Sequence, residues 1–169
     1  HRKAAKNDNA KAQSIIASLH GNGEGVPQDF VEAVKLFRSA TEHHNAFEQD
    51  YPTSLAQTAL GSMYANGEGV PQDYAEAIKW YLKAVEQGYP AAQLNLGAMY
   101  AKGEGVPQDD VEAVKLYRKA AEQGVAIAQT NLGAMYAKGE GVPKDLVEAA
   151  KWFNIAVAQG DQRAERLKE

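Results

Sequence analysis

Gly67-Glu68-Gly69-Val70-Pro71-Gln72-Asp73 occurs four times in this chain, and that recurrence decides the fold. The same residues stand at 23–29 and 103–109, and at 139–145 with Lys144 in place of the glutamine. The starts lie 44, 36 and 36 residues apart. A fixed period in this range marks stacked supersecondary units rather than one globular core.

The heptapeptide reads as a helix stop, a tight connector and a helix start. Before it runs an apolar-periodic stretch such as residues 91–102, a helix by its spacing. Gly103 then falls where a helix C′ residue needs positive φ, and Gly105 allows a second unusual backbone turn. Val106 precedes a proline and is pushed toward extended geometry. Asp109 with Glu112 is the pattern of an N-cap followed by a capping-box glutamate, and it recurs as Asp29/Glu32, Asp73/Glu76 and Asp145/Glu148.

Each unit is therefore a helix A, the connector, a helix B and a short turn. Helix B is amphipathic: Tyr74, Ala77, Ile78, Tyr81, Leu82 and Val85 follow the three-four spacing of one face. Gly88, Gly124 and Gly160 close three of these helices. Residues 1–10 are polar and basic, a frayed lead-in to a degenerate first helix A from Lys11. The last nine residues begin like another helix A but are charged throughout, as a capping segment would be. The predicted units are 11–53, 54–89, 90–125 and 126–161, with 162–169 as the terminal cap of one solenoid domain, 1–169.

The extra eight residues of the first interval fall around His43–Pro52, where residues 41–53 are expected to be the least regular part of the chain. The composition is otherwise ordinary: 169 residues, 44% hydrophobic, net charge −4 and no cysteine. That balance favours neither nucleic acid nor an anionic membrane surface, and the lack of cysteine excludes disulfides and thiolate chemistry. No apolar run approaches the ~18 residues of a membrane span.

The residues Ala92, Leu96, Gly97, Tyr100, Gly103, Gly105, Val106, Asp109 and Ala113, with an aromatic position filled by Trp80 and Trp152 but by Leu36 and Leu116 elsewhere, resemble the Sel1-like repeat. The resemblance runs over residues 11–169. It implies an all-α, right-handed superhelical α/α solenoid of about four helix-pair repeats related to the tetratricopeptide repeat, a bacterial source, and work as a scaffold or adaptor rather than a catalyst.

The chemistry-bearing residues agree with a non-enzymatic reading. Ser14, Ser18, Ser54 and Ser62 lie on or beside helix A, but His1, His20, His43 and His44 form no nucleophile, base and orienter pattern with them. The glycines of the connector lack the strand that a dinucleotide-binding loop requires. His43, His44, Glu48 and Asp50 cluster without the spacing of a metal site. No cofactor or metal is expected.

In tetratricopeptide-like solenoids helix A lines the concave groove, and by that resemblance the partner-binding positions are Ser14 and Ser18; Leu55, Thr58, Ser62 and Asn66; Leu94, Ala98 and Lys102; and Ile127, Thr130, Ala134 and Lys138. None of the four A helices carries Asp or Glu from Lys11 onward, whereas every helix B does. Lys102 and Lys138 give the groove a basic edge, which Arg163 and Arg166 extend if the final segment is helical. Gln13, Gln57, Gln93 and Gln129 recur at one site, which argues for a structural bridge to neighbouring backbone. The expected partner is a protein or peptide, with no nucleic acid and no membrane insertion; the sequence leaves the oligomeric state open and is compatible with a monomer. The alternative is a periplasmic or secreted binder of cell-wall or polysaccharide material, and the compartment leans that way. Envelope members of the family often carry a cysteine pair in each repeat. This chain has none, which weighs against their small-ligand activities.

Overall fold

The computed structural model describes residues 2–42 and 51–168, and all regular structure among them is helical. Contacts divide the chain into two compact units, residues 1–89 and 90–169. The first holds α1 (Arg2–Asn22), α2 (Phe30–Glu42), α3 (Tyr51–Asn66) and α4 (Tyr74–Glu86). The second holds α5 (Pro90–Lys102), α6 (Asp110–Glu122), α7 (Ala126–Lys138), α8 (Leu146–Ala158) and α9 (Gln162–Lys168). Odd-numbered helices from α1 to α7 are the A helices. Each packs on the B helix that follows it, and within a unit the B helix of one repeat packs on the A helix of the next.

The connectors are built by their own hydrogen bonds. In the fourth, the Glu140 N–H reaches back to the Met135 carbonyl at 3.1 Å and Gly139, at φ 79°, donates to the same oxygen. The Asp145 N–H then bonds the Tyr136 carbonyl at 2.9 Å, closing the connector onto the helix it leaves. The same closure joins Asp29 to His20, Asp73 to Tyr64 and Asp109 to Tyr100. Two orphan carbonyls of each A helix are thereby satisfied. In the first two repeats the connector glutamine adds another, Gln28 and Gln72 each donating at 2.7 Å to the carbonyls of Gly21 and Ala65.

Each connector aspartate caps its B helix: Asp109 Oδ1 accepts from the Glu112 N–H at 2.9 Å, and Asp29, Asp73 and Asp145 do the same for Glu32, Glu76 and Glu148. The reciprocal half of the expected capping box is missing. The aspartate N–H already bonds the preceding helix, so the glutamate turns to the lysine one turn on. Glu112–Lys115 closes at 2.8 Å and Glu148–Lys151 at 2.7 Å, both exposed (i, i+3) pairs. Such pairs add only a few tenths of a kcal/mol.

Three further differences from the sequence reading concern helix ends and faces. α1 is helical from Arg2, where lysines and alanines are good helix formers. α3 begins at Tyr51, ahead of the expected repeat start, with Pro52 in the first turn where its missing N–H costs nothing. The irregular segment expected at 41–53 is therefore helical at 41–42 and 51–53, and His43–Asp50 lie outside the described residues. On α4 the buried residues are Ala77, Ile78, Tyr81 and Ala84, while Leu82 is exposed.

The cores are small and alanine-rich. In the first unit Ala17, Ala33, Phe37, Ala40, Ala56 and Leu60 close around Val34 and Met63. In the second Ala113, Tyr117, Ala120, Ala128 and Leu132 do the same around Met135. A recurrent polar pair ties A to B in each of the last three repeats. Gln87 Nε2 donates to Gln57 Oε1 at 2.9 Å, Gln123 to Gln93 at 2.9 Å, and Gln159 to Gln129 at 3.1 Å. Gln129 also donates to the Ala121 carbonyl of the preceding helix at 3.1 Å, which is the backbone bridge its recurrence suggested.

Candidate functional site

Stacking one helix pair on the next leaves a niche between successive A helices, and each unit has one. That of the first unit is an open space of about 210 Å³ between α1, α2 and α3, lined by Ser18, Asn22, Phe30, Phe37, Ala59, Ser62, Met63 and Glu68. That of the second measures about 340 Å³ and is lined by Ala101, Gln108, Asp110, Tyr117, Asn131, Ala134, Lys138, Glu140 and Arg163. The two are the same place in the repeat. Phe30 corresponds to Asp110, Phe37 to Tyr117, Ala59 to Asn131, Ser62 to Ala134 and Glu68 to Glu140.

The shared frame carries different chemistry. In the first niche Phe30 and Phe37 form the wall beside Met63, whose counterpart Met135 also lines the second niche. The nearby hydroxyls are already bonded, Ser18 to the Ser14 carbonyl at 2.9 Å and Ser62 with the Tyr81 hydroxyl at 3.0 Å. In the second, Arg163 donates to Asn131 Oδ1 at 2.8 Å and Asn131 bonds the Tyr117 hydroxyl. Burial pushes the Tyr117 phenol up to about 12, with Arg163 and the Asn131 bond opposing the rise.

The groove positions expected from the sequence separate into three groups. Ser18, Ser62, Ala134 and Lys138 line the niches. Leu55, Leu94 and Ala98 are half-buried, and Asn66, Lys102 and Ile127 are exposed on their A helices. Ser14, Thr58 and Thr130 are buried, and this is a correction: their hydroxyls bond inside the fold, to the Pro52 carbonyl, the Ser54 carbonyl and Asp161 respectively. The bond from Thr130, at 2.7 Å, is the main reason the Asp161 carboxyl lies below the usual carboxylate range; partial burial opposes it. Asp161 in turn caps α9 through the Arg163 N–H at 2.9 Å.

The expected basic edge is also corrected. Lys102 Nζ lies 3.6 Å from Glu104 and Lys138 Nζ lies 3.5 Å from Glu140, so the connector supplies the acid that helix A lacks. Arg163, on the helical final segment, joins the second niche. The sequence reading looked along helix A alone and so missed the walls contributed by helix B, Phe30, Phe37, Asp110 and Tyr117, and the glutamates of the connectors. The alignment of Phe37, Tyr81, Tyr117 and Phe153 at one helix-B position was the available signal.

The serines do not meet a base. Ser54 donates to Gln87 Oε1 at 2.8 Å, and the other three are bonded as described. His20 is on α1 with Nδ1 enclosed. Among the described residues no cluster of three His, Asp or Glu side chains could hold a metal ion; His43, His44, Glu48 and Asp50 lie outside them. No described helix is long and apolar enough to cross a membrane.

Residues 10–45, 54–89, 90–125 and 126–161 each match the family description of the Sel1 repeat. No match is found among curated proteins. Among solved structures, a protective antigen of uropathogenic Escherichia coli described as displaying an SLR fold is 40% identical, with a TM-score of 0.84 over 96% of this chain and 33% of its own. A Sel1 repeat protein from Oxalobacter formigenes is 35% identical, with a TM-score of 0.84 over 95% of this chain and 62% of its own. Cysteine-rich protein B of Helicobacter pylori, 23% identical with a TM-score of 0.61 over 83% of this chain and 95% of its own, shares the fold. The chain thus spans a third of the first relative and under two thirds of the second.

Proposed function

The chain belongs to the Sel1 repeat family, whose members are generally interaction scaffolds, and from that premise we propose that it is a non-enzymatic adaptor holding a segment of a partner protein in a niche between the A helices of one unit. The observation that carries the reading is the pair of equivalent niches with unlike linings, apolar at Phe30, Phe37 and Ala59 and polar at Asp110, Tyr117 and Asn131. A structural feature repeats its residues from unit to unit, as the glutamine pairs do. A recognition surface changes them over a constant frame, which is how repeat scaffolds read extended ligands.

The test fills each niche. The parent protein and the variants Ala59→Trp and Ala101→Trp, each checked for an unchanged helical signal and melting, are immobilised and exposed to lysate from the source organism. Partners held through the niches are retained by the parent and lost from one or both variants. If every retained protein binds all three forms equally, the interaction surface lies elsewhere on the helices.

A further inference from the structure

The niche of the first unit differs from that of the second in its rim as well as its walls. In the second unit the connector glutamates face lysines, Lys102 with Glu104 and Lys138 with Glu140. At the equivalent positions the first unit has asparagines. Asn22 Nδ2 donates to Glu24 at 3.4 Å and Asn66 Nδ2 to Glu68 at 3.2 Å. An amide satisfies a carboxylate oxygen but leaves the charge in place. The cations on the B helices of this unit are otherwise engaged: Lys35 with Glu32, Lys79 with Glu76, Arg38 over the Tyr64 ring and Lys83 over the Trp80 ring.

The interior asks for an apolar guest. Phe30, Phe37, Ala59 and Met63 form its walls, and the hydroxyls of Ser18 and Ser62 already have partners. The space, about 210 Å³, exceeds the ~150 Å³ apolar cavity that holds a benzene ring. We propose that the first niche receives one large apolar side chain of a partner peptide, flanked by Lys or Arg residues that pair with Glu24 and Glu68. This rests on the scaffold reading above and reverses the charge expected from the lysines of the A helices. A basic flank meets carboxylates that pair with no cation among the described residues, whereas an acidic flank would have to displace Glu104 or Glu140 from its lysine in the second unit.

Three labelled synthetic peptides decide it by fluorescence anisotropy with the whole chain: one phenylalanine between lysine pairs, the same peptide with serine for phenylalanine, and the phenylalanine between glutamate pairs. The first is expected to bind and the other two to bind at least tenfold more weakly. Glu24→Gln with Glu68→Gln should weaken the first peptide roughly two- to fivefold for each charge removed, the range of exposed ion pairs. Glu86→Gln with Glu122→Gln, the same change of net charge on α4 and α6, should leave it unchanged. Equal loss from both charge pairs, or equal binding of the serine peptide, reduces the effect to general attraction by an acidic protein and overturns the proposal. Preferential binding of the glutamate peptide overturns it too. In that case loss of binding in Ala59→Trp, or in the milder Ala59→Leu, leaves the scaffold reading standing. Binding of no peptide at all also overturns the assignment.

Discussion

Gly141 of the fourth connector lies against the backbone carbonyl of Asp110 at the start of α6, closer than a side-chain carbon could come. Gly69 stands in the same relation to Phe30 within the first unit. The second glycine of the heptapeptide is thus more than a turn residue. Within each unit it is where a connector seats on the B helix of the repeat before it, so the motif that joins helix A to helix B in one repeat also sets its contact with the previous one.

Gly141→Ala is expected to destabilise the protein by about 3 kcal/mol, combining positive-φ strain with overlap against backbone that cannot rotate away. Gly139→Ala, whose added carbon would stand 3.2 Å from Lys144 Cβ and 3.3 Å from its backbone nitrogen, should cost less. Gly160→Ala, at φ 89° with open space around it, should lose only about 1 kcal/mol of strain. Urea denaturation of the three variants gives the ranking. Equal losses would show that φ alone sets the need for glycine and that the contact with Asp110 is incidental.

Much of this construction was legible because its signals are local. Asp109 as a cap and Gly139 as a left-handed residue each depend on neighbours within a few positions, so residue chemistry in order was enough. The capping box was half right because the Asp109 N–H was claimed by Tyr100, nine residues back, a competition that local pattern reading does not price. The groove was read only along helix A, where one turn predicts which side chains share a face. Its other walls, Phe37 and Tyr117, and the burial of Thr130 beneath Asp161 depend on what the adjacent helix brings near. Those contacts come from stacking, so the repeat register was needed to find them.

The glutamine pairs should behave as coupled units. Gln129 is buried, accepts from Gln159 and donates to the Ala121 carbonyl, so Gln129→Ala both opens a cavity and leaves polar groups unpaired. A loss of about 2 kcal/mol is expected, with Gln159→Ala costing about 1 kcal/mol. The double variant should be less damaged than the sum by several tenths of a kcal/mol. Strict additivity in a double-mutant cycle would mean the two side chains do not depend on one another.

Tyr117 should make the second unit sensitive to alkali. Its phenol titrates at about 12 when folded, against about 10 in an unfolded chain. Because the fold favours the protonated form, its contribution is fully present below pH ~10 and is lost as pH rises toward ~12. The difference corresponds to roughly 2–3 kcal/mol at most. Tyr117→Phe should flatten this part of the stability profile while leaving stability near neutral pH within about 1 kcal/mol, the value of the hydrogen bond with Asn131. Denaturant midpoints measured across that alkaline window test it, and an unchanged slope in the variant would remove Tyr117 as the source.

Gly133, in the middle of α7, offers a test in which helix propensity and packing point in opposite directions. In an exposed helix, glycine to alanine gains about 1 kcal/mol. Here the added carbon would stand 2.8 Å from two atoms of the Phe153 ring and 3.2 Å from the Ala149 carbonyl. Phe153 is itself buried in the cluster with Ala149, Ala156 and Ala164, so the ring has little room to retreat. Packing should win, and Gly133→Ala should destabilise by about 1–2 kcal/mol net of its propensity gain. Shortening the partner supplies the check. Phe153→Leu alone should cost about 1–2 kcal/mol for the lost ring contacts, but with Gly133→Ala it makes room for the new methyl. The double variant is then expected to be more stable than the two losses added together. If the losses simply sum, the obstacle to alanine is the α8 backbone at Ala149 rather than the ring, and the close approach of α7 to α8 would be fixed by main chain alone.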